Sequence, residues 1–404
     1  MNPDSRGKTV FKPLKLKRTT LPNRIIRAAT FENMADAEGI PTAKFAELYK
    51  KLATGGARCI ITGFNHTSRE GRAMQPFQAG IDDSRKIIGW QRVIDEVKSV
   101  QPETQLFIQI SHTGRQTLQH VTRLPVKGAG SVKCTYFRQP VTPLSTDEVK
   151  EKVDEYIRAA KNAETAGFNG IQIHCAHGYL IHQFMSPFTN NRDDEYGDDR
   201  LLFLKQVVTG VKAAVKLPVF LKISAADDRQ RGLNLPLVMS YWPVIDSLET
   251  DAIEISYGMM EVAFNIIRGE HPLDPVLKHN CLFNRYHPGL RWLFKHFVYH
   301  WYKRSFIDYC DLYNLENAVK IKAASKTPIL VTGGIRKKSQ IDYIINQRGI
   351  DGVTLSRPFV CEPDFVNRLA KGNGEVISGC TSCNLCTVMC DSRQPLRCYR
   401  GPAR

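Results

Sequence analysis

The sequence predicts an α/β fold, a closed (β/α)8 TIM barrel, from three observations. Short apolar, β-branched runs alternate with amphipathic stretches, and this alternation occurs eight times along the chain. The runs are apolar almost without interruption, which is typical of parallel strands buried on both faces. None of them is followed by the GxGxxG turn of an open dinucleotide-binding sheet. The predicted strands are residues 24–29, 58–64, 105–110, 169–174, 218–224, 251–256, 328–333 and 351–356.

The helices that follow the strands are predicted by apolar residues at helical spacing, for example in TAKFAELYKKLAT and LLFLKQVVTGVKAAV. The barrel is therefore expected over residues 1–370, followed by a short cysteine-rich tail over residues 371–404. Two connections, residues 111–145 after strand 3 and residues 257–312 after strand 6, are too long to be plain turns. Long loops at the C-terminal ends of barrel strands build active sites and lids.

The composition describes a globular chain that is strongly basic. Of its 404 residues 42% are hydrophobic and 24% are charged, and the net charge is +16. The basic residues are spread along the chain without a zinc-finger, RNA-binding or basic-zipper pattern, so a solvated basic surface is favoured over nucleic-acid binding. No apolar run reaches the roughly 20 residues of a membrane span, and the first residues lack the apolar core of a secretory signal. A cytoplasmic location is therefore expected.

One segment of the second long connection, RWLFKHFVYHWYKRSF at residues 291–306, combines aromatic and basic side chains. This pattern fits a lid or a packing element, and it also fits a helix that lies at a membrane surface. We favour the lid or packing element, because a single segment is a narrow basis for membrane contact.

Strand 4 ends in the segment HCAHGYLIH, which places His174, His177 and Tyr179 at the C-terminal face of the predicted barrel. Imidazole and phenol groups at that face can bind an anionic oxygen and deliver a proton. A zinc site is the alternative, but the segment offers none of the usual ligand arrangements. A single histidine here would be interpreted as a core residue, whereas the cluster favours an active site.

The wider segment HCAHGYLIHQFMSPFTNNRDDEYG, residues 174–197, resembles the signature of the old yellow enzyme family of FMN-dependent NAD(P)H:flavin oxidoreductases. The family pattern at this place is HxAHGYLxxQFxSPxxNxRxDxYG. Further pieces agree in the same order along the chain: LPNRIIRAAT, YKKLATGGARCIITG, QISHTGRQ and LSRPFVCEPDF. The resemblance covers about residues 10–370 and implies a TIM barrel that binds FMN.

The resemblance also implies roles for individual residues. His174 and His177 would bind the carbonyl or nitro oxygen of a substrate, and Tyr179 would protonate its α-carbon. Gln109 would bind the pyrimidine edge of the flavin, and Lys222 would stabilise the negative charge of reduced flavin. The other implied flavin contacts are Ala28, Ala29, Thr30 and Gly63, with Gly333, Gly334, Ser356 and Arg357 around the phosphate.

The implied activity is the NAD(P)H-dependent reduction of an activated alkene, enone or related electrophile by hydride transfer from the flavin. NAD(P)H and the small-molecule substrate would take turns at the same flavin face, which agrees with the absence of a Rossmann motif. A non-catalytic barrel that serves as a scaffold is opposed by the intact set of His174, His177, Tyr179 and Gln109. Phe31 departs from the family pattern, because it stands where a Thr or Cys often tunes the flavin.

Five of the eleven cysteines lie within residues 380–398, a clustering typical of a metal or cluster site. Cys380, Cys383, Cys386 and Cys398 have a spacing that resembles the [4Fe–4S] segment of trimethylamine dehydrogenase and, more loosely, of 2,4-dienoyl-CoA reductase. Zinc and free or redox-active thiols remain the alternatives. A cluster would suit a different activity, a flavin dehydrogenase or demethylase that passes electrons to a redox partner protein. Self-association into a homo-oligomer is compatible with both activities.

Overall fold

The structure, a computed structural model, describes residues 9–401 and contains the closed eight-stranded parallel barrel that the sequence predicts. The first residues of the predicted barrel, 1–8, and the last of the predicted tail, 402–404, lie outside the described residues. The strands are β1 Ile25–Arg27, β2 Cys59–His66, β3 Gln105–Ser111, β4 Gly170–Cys175, β5 Val219–Ser224, β6 Ala252–Ser256, β7 Ile329–Thr332 and β8 Gly352–Leu355. Consecutive strands pair, and β8 pairs with β1 to close the barrel.

Eight helices follow the strands and cover the outside of the barrel with their apolar faces. They are α1 Ala43–Thr54, α2 Ser84–Val100, α3 Thr146–Ala166, α4 Leu202–Ala214, α5 Leu235–Ser247, α6 Leu315–Ala324, α7 Lys338–Asp342 and α8 Phe365–Lys371. The boundaries of α3 follow from local chemistry. Ser145 and Glu148 form a reciprocal capping box at its start, and Gly167 ends it with a left-handed φ of +89°.

The N-terminal end of the barrel is plugged with apolar side chains. The rings of Phe107 and Phe220 pack against each other inside the barrel, with centroids 4.7 Å apart. A short hairpin, Leu14–Lys15 with Thr20–Leu21, adds two buried leucines to the same cluster. Because this end is packed, the open and polar end of the barrel is the C-terminal one, as expected for a TIM barrel.

Both predicted long connections are present and carry additional short elements. The connection after β3 includes the helix Gln119–Thr122 and the paired two-residue strands Lys127–Gly128 and Thr142–Pro143. The connection after β6 forms six short helical pieces: Met260–Val262, Ala263–Ile267, Leu273–His279, Pro288–Leu293, Phe294–Val298 and Tyr299–Lys303. No helix within residues 9–401 has the length and apolar character needed to cross a lipid bilayer.

The cysteine-rich tail runs across the C-terminal mouth of the barrel. Its helix Leu385–Cys390 is followed by a stretch that is held by the loop after β1, because Asn33 Nδ2 donates to the carbonyl oxygens of Ser392 and Gln394 at 2.8 and 2.9 Å. On the other side, the backbone N–H of Cys281, in the long connection after β6, donates to the carbonyl of Asp391 at 2.9 Å. The tail therefore joins two loops that are far apart in sequence.

Candidate active site

The C-terminal ends of the strands surround a cavity of about 220 Å³, and most of the predicted site residues line it. The three predicted catalytic residues lie in the lining together with most of the predicted flavin contacts. These residues are His174, His177, Tyr179, Ala28, Ala29, Thr30, Gln109, Lys222, Gly333, Gly334, Ser356 and Arg357. The fold thus brings together side chains from both halves of the barrel.

A fully buried carboxylate, Glu254 on β6, organises the polar side chains beneath this cavity. Its Oε1 accepts hydrogen bonds from Lys222 Nζ and Thr354 Oγ1, both at 2.9 Å, and its Oε2 accepts one from Gln172 Nε2 at 2.8 Å. Gln172 Oε1 accepts a hydrogen bond from Gln109 Nε2 at 2.7 Å. Five strands are joined by this network, which holds Gln109 and Lys222 in fixed positions in the lining.

The two histidines at the end of β4 form a second hydrogen-bonded group. His174 Nε2 lies 3.0 Å from His177 Nδ1, and His177 Nε2 lies 2.8 Å from the hydroxyl oxygen of Ser256. The pKa of both imidazoles is lowered well below the usual value, mainly because the rings are buried. The nearby Lys222 cation lowers it further. Both rings are therefore neutral near pH 7, so that each carries one N–H donor.

Local backbone strain and an unpaired atom mark the same place. His177 has a left-handed φ of +63°, which is uncommon for a residue with a side chain. Its backbone N–H donates to Ser224 Oγ at 3.1 Å, and its carbonyl accepts from Gln116 Nε2 at 2.9 Å. His174 Nδ1 is buried and has no protein partner among the described residues. An orphaned buried polar atom in a cavity wall is the feature expected where a bound molecule completes the hydrogen bonds.

Tyr179 lies against the two aromatic groups of the same wall. Its ring centroid is 4.8 Å from that of His174 and 5.3 Å from that of Phe64. Phe64 follows a register shift in β2, a kind of irregularity that re-aims side chains beside active sites. Burial, and then the nearby Asp391 carboxylate, raise the pKa of the Tyr179 phenol, so that it keeps its proton at neutral pH.

The tail contributes a carboxyl group to the cavity that the sequence analysis did not single out. Asp391 lines the cavity, and its two oxygens accept hydrogen bonds from Gln75 Nε2 at 2.8 Å and Asn280 Nδ2 at 3.0 Å. Burial raises the pKa of Asp391 to about 6. The residue follows the last cysteine of the tail helix, and nothing in its sequence neighbourhood predicted a place beside Tyr179.

Gly63 lies outside the cavity lining, unlike the other predicted flavin contacts. Its backbone N–H donates to the buried Glu32 carboxylate at 2.9 and 3.1 Å, and a Cβ on Gly63 would lie 2.3 Å from Glu32 Oε2. Glu32 also forms an ion pair with Arg27 at 2.9 Å and accepts a hydrogen bond from the Tyr49 hydroxyl at 2.7 Å. A glycine is therefore required here by packing behind the wall.

The basic end of the cavity is formed by the loops after β7 and β8. Arg357 Nη1 donates to the carbonyl of Arg268 and to Asn384 Oδ1, both at 2.7 Å. Thr30 Oγ1 lies 2.9 Å from Ser356 Oγ, which ties the loop after β1 to the same place. A second guanidinium, that of Arg336, also lines the cavity. Two cations at one end suit an anionic group such as a phosphate.

The four predicted cluster ligands line one smaller pocket beside this basic end. Cys380, Cys383, Cys386 and Cys398 share it with Arg357, and a fifth thiol, Cys361, lies within hydrogen-bond reach of Cys398. Arg357 and Cys380 line both pockets, so the two sites are adjacent. Within residues 9–401, no three His, Cys, Asp or Glu side chains surround a single point in the manner of a mononuclear metal site.

The third histidine of the strand 4 segment, His182, lies apart from the other two. It is fully buried on the helix Leu180–Met185, and its Nε2 is 3.3 Å from Asp227 Oδ2. Its ring is therefore a packed and paired core group outside the cavity lining. His182 is therefore a structural core residue, the role expected for a single buried histidine.

Several polar lining or supporting residues escaped the sequence analysis. A usable signal existed for Glu254 and Gln172, because each is a polar residue inside an otherwise apolar strand, DAIEIS and GIQIH. Ser256 ends its strand, which in a barrel points to the active-site face.

Comparison with known proteins assigns the chain to a family. The family of NADH:flavin oxidoreductases and NADH oxidases matches residues 9–287, so the chain belongs to that family. An NADPH dehydrogenase from Bacillus subtilis (strain 168) is 30% identical over 270 residues, which cover 65% of this chain and 78% of that protein. An NADH oxidase from Thermoanaerobacter brockii is 26% identical over 382 residues, which cover 93% of this chain and 53% of that protein. The chain thus spans about half the length of this second relative.

Solved structures share the fold. A 2-naphthoyl-CoA reductase in complex with 2-naphthoyl-CoA has a TM-score of 0.80 at 19% identity, covering 98% of this chain and 57% of that one. An old yellow enzyme homologue from Zymomonas mobilis has a TM-score of 0.70 at 22% identity, covering 91% of this chain and 94% of that one. At these identities the structural likeness establishes the barrel fold alone.

The Glu254 network predicts a large effect of removing its cation. Lys222→Met should destabilise the fold by about 3–5 kcal/mol, because it leaves a buried carboxylate without a charged partner. Lys222→Arg keeps the charge, so its free energy of unfolding should fall much less. Chemical denaturation of both variants measures the free energies of unfolding, and equal small losses in the two would contradict the importance of the pair.

Proposed function

We propose that the chain is an FMN-dependent oxidoreductase that uses NAD(P)H to reduce an activated alkene, an enone or a related electrophile. The observation that carries the proposal is the shared cavity, in which His174, His177 and Tyr179 face the same space as Gln109 and Lys222. Membership of the NADH:flavin oxidoreductase family supports it, and so does the similarity to an NADPH dehydrogenase. The 2-naphthoyl-CoA reductase name supports a conjugated ring or alkene as the class of electron acceptor.

The lining fits FMN by the chemistry of its donors. Gln109 presents an amide to the cavity, and Lys222 presents an ammonium group whose charge is partly balanced by Glu254. Arg336 and Arg357 would hold the phosphate at the basic end, beside the tight turn at Gly333 and Gly334, whose φ values are +112° and +72°. When bound, FMN accepts a hydride from NAD(P)H and passes it to the second substrate.

The histidine pair would bind and polarise the oxygen of that substrate. We assign the Ser256 hydroxyl as donor to His177 Nε2, which leaves the ring proton of His177 on Nδ1, beside His174 Nε2. In this arrangement His177 donates its proton to His174 Nε2, and His174 keeps its own proton on the unpaired Nδ1. That N–H, polarised by His177, can donate to a carbonyl or nitro oxygen without introducing a charge. Donors held in place by a buried network stabilise developing negative charge without reorganising.

Tyr179 would supply the proton that completes reduction of the double bond. Its pKa is raised by burial, and its ring is held between His174 and Phe64, so the phenol is protonated and fixed. A positioned acid of this kind can protonate the α-carbon when the hydride arrives at the β-carbon. Reduction of the flavin by NAD(P)H needs no proton from Tyr179.

A second candidate function is favoured by the adjacent cysteine pocket. We propose that the barrel, residues 1–370, binds FMN and that the tail, residues 371–404, holds a [4Fe–4S] cluster on Cys380, Cys383, Cys386 and Cys398. Arg357 lines both pockets and could offset the negative charge of a thiolate-ligated cluster. Electrons from the flavin would then leave one at a time to a partner protein, which is the chemistry of a dehydrogenase or demethylase.

The phosphate assignment predicts flavin loss on removal of one guanidinium. Arg357→Ala should purify with depleted FMN, because a charge-assisted contact to a phosphate contributes about 1.5–3 kcal/mol. Titration of the apoprotein with FMN measures the affinity. Arg348, which pairs with Glu316 on the surface, provides a control as Arg348→Ala.

Loosening of the tail must be separated from loss of the phosphate contact. Asn384→Gly removes the hydrogen bond to Arg357 while keeping a backbone that tolerates the observed φ of +58°. This variant should retain FMN. Full occupancy in Arg357→Ala would instead remove Arg357 from the phosphate site.

The Tyr179 assignment predicts that the two half-reactions separate. Tyr179→Phe should leave flavin reduction by NAD(P)H nearly unchanged and should slow reoxidation by 2-cyclohexenone by about 10²–10⁴, the usual contribution of a positioned acid. Stopped-flow absorbance at the flavin bands measures both rates. Reoxidation by a quinone, which needs no protonation at carbon, is the control. Unchanged reoxidation by the enone would exclude Tyr179 as the acid.

The cluster assignment predicts bound iron that depends on the tail. Anaerobic preparation should give about four iron atoms per chain and a broad absorption shoulder beyond the flavin bands. Cys383→Ser should abolish both while FMN stays bound, whereas Cys310→Ser, at an exposed cysteine, should change neither. One zinc per chain, or no metal, would reject the cluster and leave the flavin reductase.

A further inference from the structure

The connection after β6 carries most of the exposed apolar surface of the described chain. Thirteen large hydrophobic side chains are exposed within residues 9–401, and eight of them lie between residues 286 and 307. They are Tyr286, Leu290, Trp292, Leu293, Phe297, Val298, Trp301 and Ile307. We call this set the aromatic–basic face, because basic side chains surround it. Contiguous exposed apolar surface on a folded protein marks an interaction site.

The helical segment beneath this face is packed on one side and open on the other. On the packed side, the Tyr299 hydroxyl lies 2.8 Å from His271 Nδ1, and the Tyr302 ring packs on Phe306 at 5.0 Å. On the open side, apolar residues recur every three or four positions at Leu290, Leu293, Phe297 and Trp301, a spacing that places them along one helix face. Trp301 is the most exposed of them, at 70%.

This face does not cover the active-site cavity. None of its eight residues lines the cavity, whereas Met260, Ala263, Ile266 and Ile267 of the same connection do. The inner side of the segment is therefore a packing element, one of the two roles expected from the sequence. The outer side does not act as a lid over the cavity in the part of the chain that the structure describes. The outer side needs another explanation.

The segment that carries the face is basic. Between Asp274 and Asp308 the sequence contains no acidic residue, and it contains Lys278, Arg285, Arg291, Lys295, Lys303 and Arg304. Lys295 is paired with Asp274 at 2.6 Å. Arg304 lies over the Trp301 ring at 4.4 Å, at the most exposed point of the face. The whole chain adds a net charge of +16 to the attraction of an anionic partner.

We propose that the aromatic–basic face binds the surface of an anionic lipid membrane. Exposed Trp, Phe and Leu side chains at helical spacing, in a segment that contains Lys and Arg and no acidic residue, are the features of a helix that lies in a membrane interface. Tryptophan favours that interface, and each basic residue adds electrostatic attraction to anionic headgroups. A second copy of the chain is disfavoured as the occupant, because it would bring the same positive charges together.

The segment that carries the face is packed against part of the cavity wall. Phe264, in the helix Ala263–Ile267 that contributes to that wall, contacts His271 with ring centroids 4.2 Å apart. His271 in turn contacts Phe306, in the segment that carries the face, at 4.7 Å. Membrane binding at the face would therefore occur on the same connection that forms part of the cavity wall.

Co-sedimentation of the full chain with lipid vesicles tests the proposal. The protein should bind vesicles of phosphatidylcholine mixed with phosphatidylglycerol, should bind pure phosphatidylcholine vesicles much less, and should be released by high salt. The triple variant Trp292→Ser/Phe297→Ser/Trp301→Ser should weaken binding by about tenfold or more. The matched control Ile88→Ser/Val100→Ser/Ile377→Ser changes exposed apolar residues elsewhere and should bind like the unchanged protein.

The electrostatic part has its own pair of variants. Lys303→Glu/Arg304→Glu should weaken binding to the anionic vesicles, whereas the same charge change at the exposed Lys326 and Lys371 should have a smaller effect. Absence of binding by the unchanged protein, or equal binding by the triple variant, would overturn the proposal. Sedimentation equilibrium supplies a further check: a dimer that the triple variant dissociates would assign the face to self-association instead.

Discussion

The buried carboxylate of Glu254 is the interaction on which the rest of the site depends. It lies on β6 with no solvent exposure and binds groups from β4, β5 and β8 at 2.8–2.9 Å. A charge in that position is stable only when its partners are present, because burial without compensation costs several kcal/mol. The barrel strands must therefore close in the correct register for the polar floor of the cavity to form.

The tail completes the cavity that the barrel begins. Its residues Cys390, Asp391 and Leu396 lie in the wall, and the Leu396 backbone N–H donates to the carbonyl of Glu32 at 2.8 Å. The tail also carries the four thiols of the second pocket, which shares Arg357 with the first. A disturbance of either pocket would consequently reach the other through a short path of hydrogen bonds rather than through a flexible linker.

The candidate catalytic groups are uncharged for a common physical reason. Burial lowers the pKa of His174 and His177 and raises the pKa of Tyr179, so all three present protons without carrying a net charge. The Lys222 cation, which contributes to lowering the pKa of both histidines, is balanced by Glu254. Such a site offers hydrogen-bond donors and a proton in a low-dielectric cavity, which suits polarisation of a neutral substrate.

The sequence by itself determined the eight strands, the barrel and the position of the histidine–tyrosine group, because these depend on local periodicity and on a contiguous motif. Tertiary structure decided which polar side chains meet. Gln109 binds Gln172 across 63 positions of sequence, Lys222 binds Glu254 across 32, and Asp391 reaches the cavity only because the tail crosses the mouth of the barrel.

The same limit applies to two further features. The family motif predicts Gly63 as a flavin contact, but only the structure shows that its lack of a side chain makes room for Glu32. The sequence left the outward side of residues 286–307 undecided, because an aromatic helix has the same sequence pattern whether its second face is covered or open. Burial and pairing are properties of surfaces that form only when distant parts of the chain meet, and no local pattern specifies them.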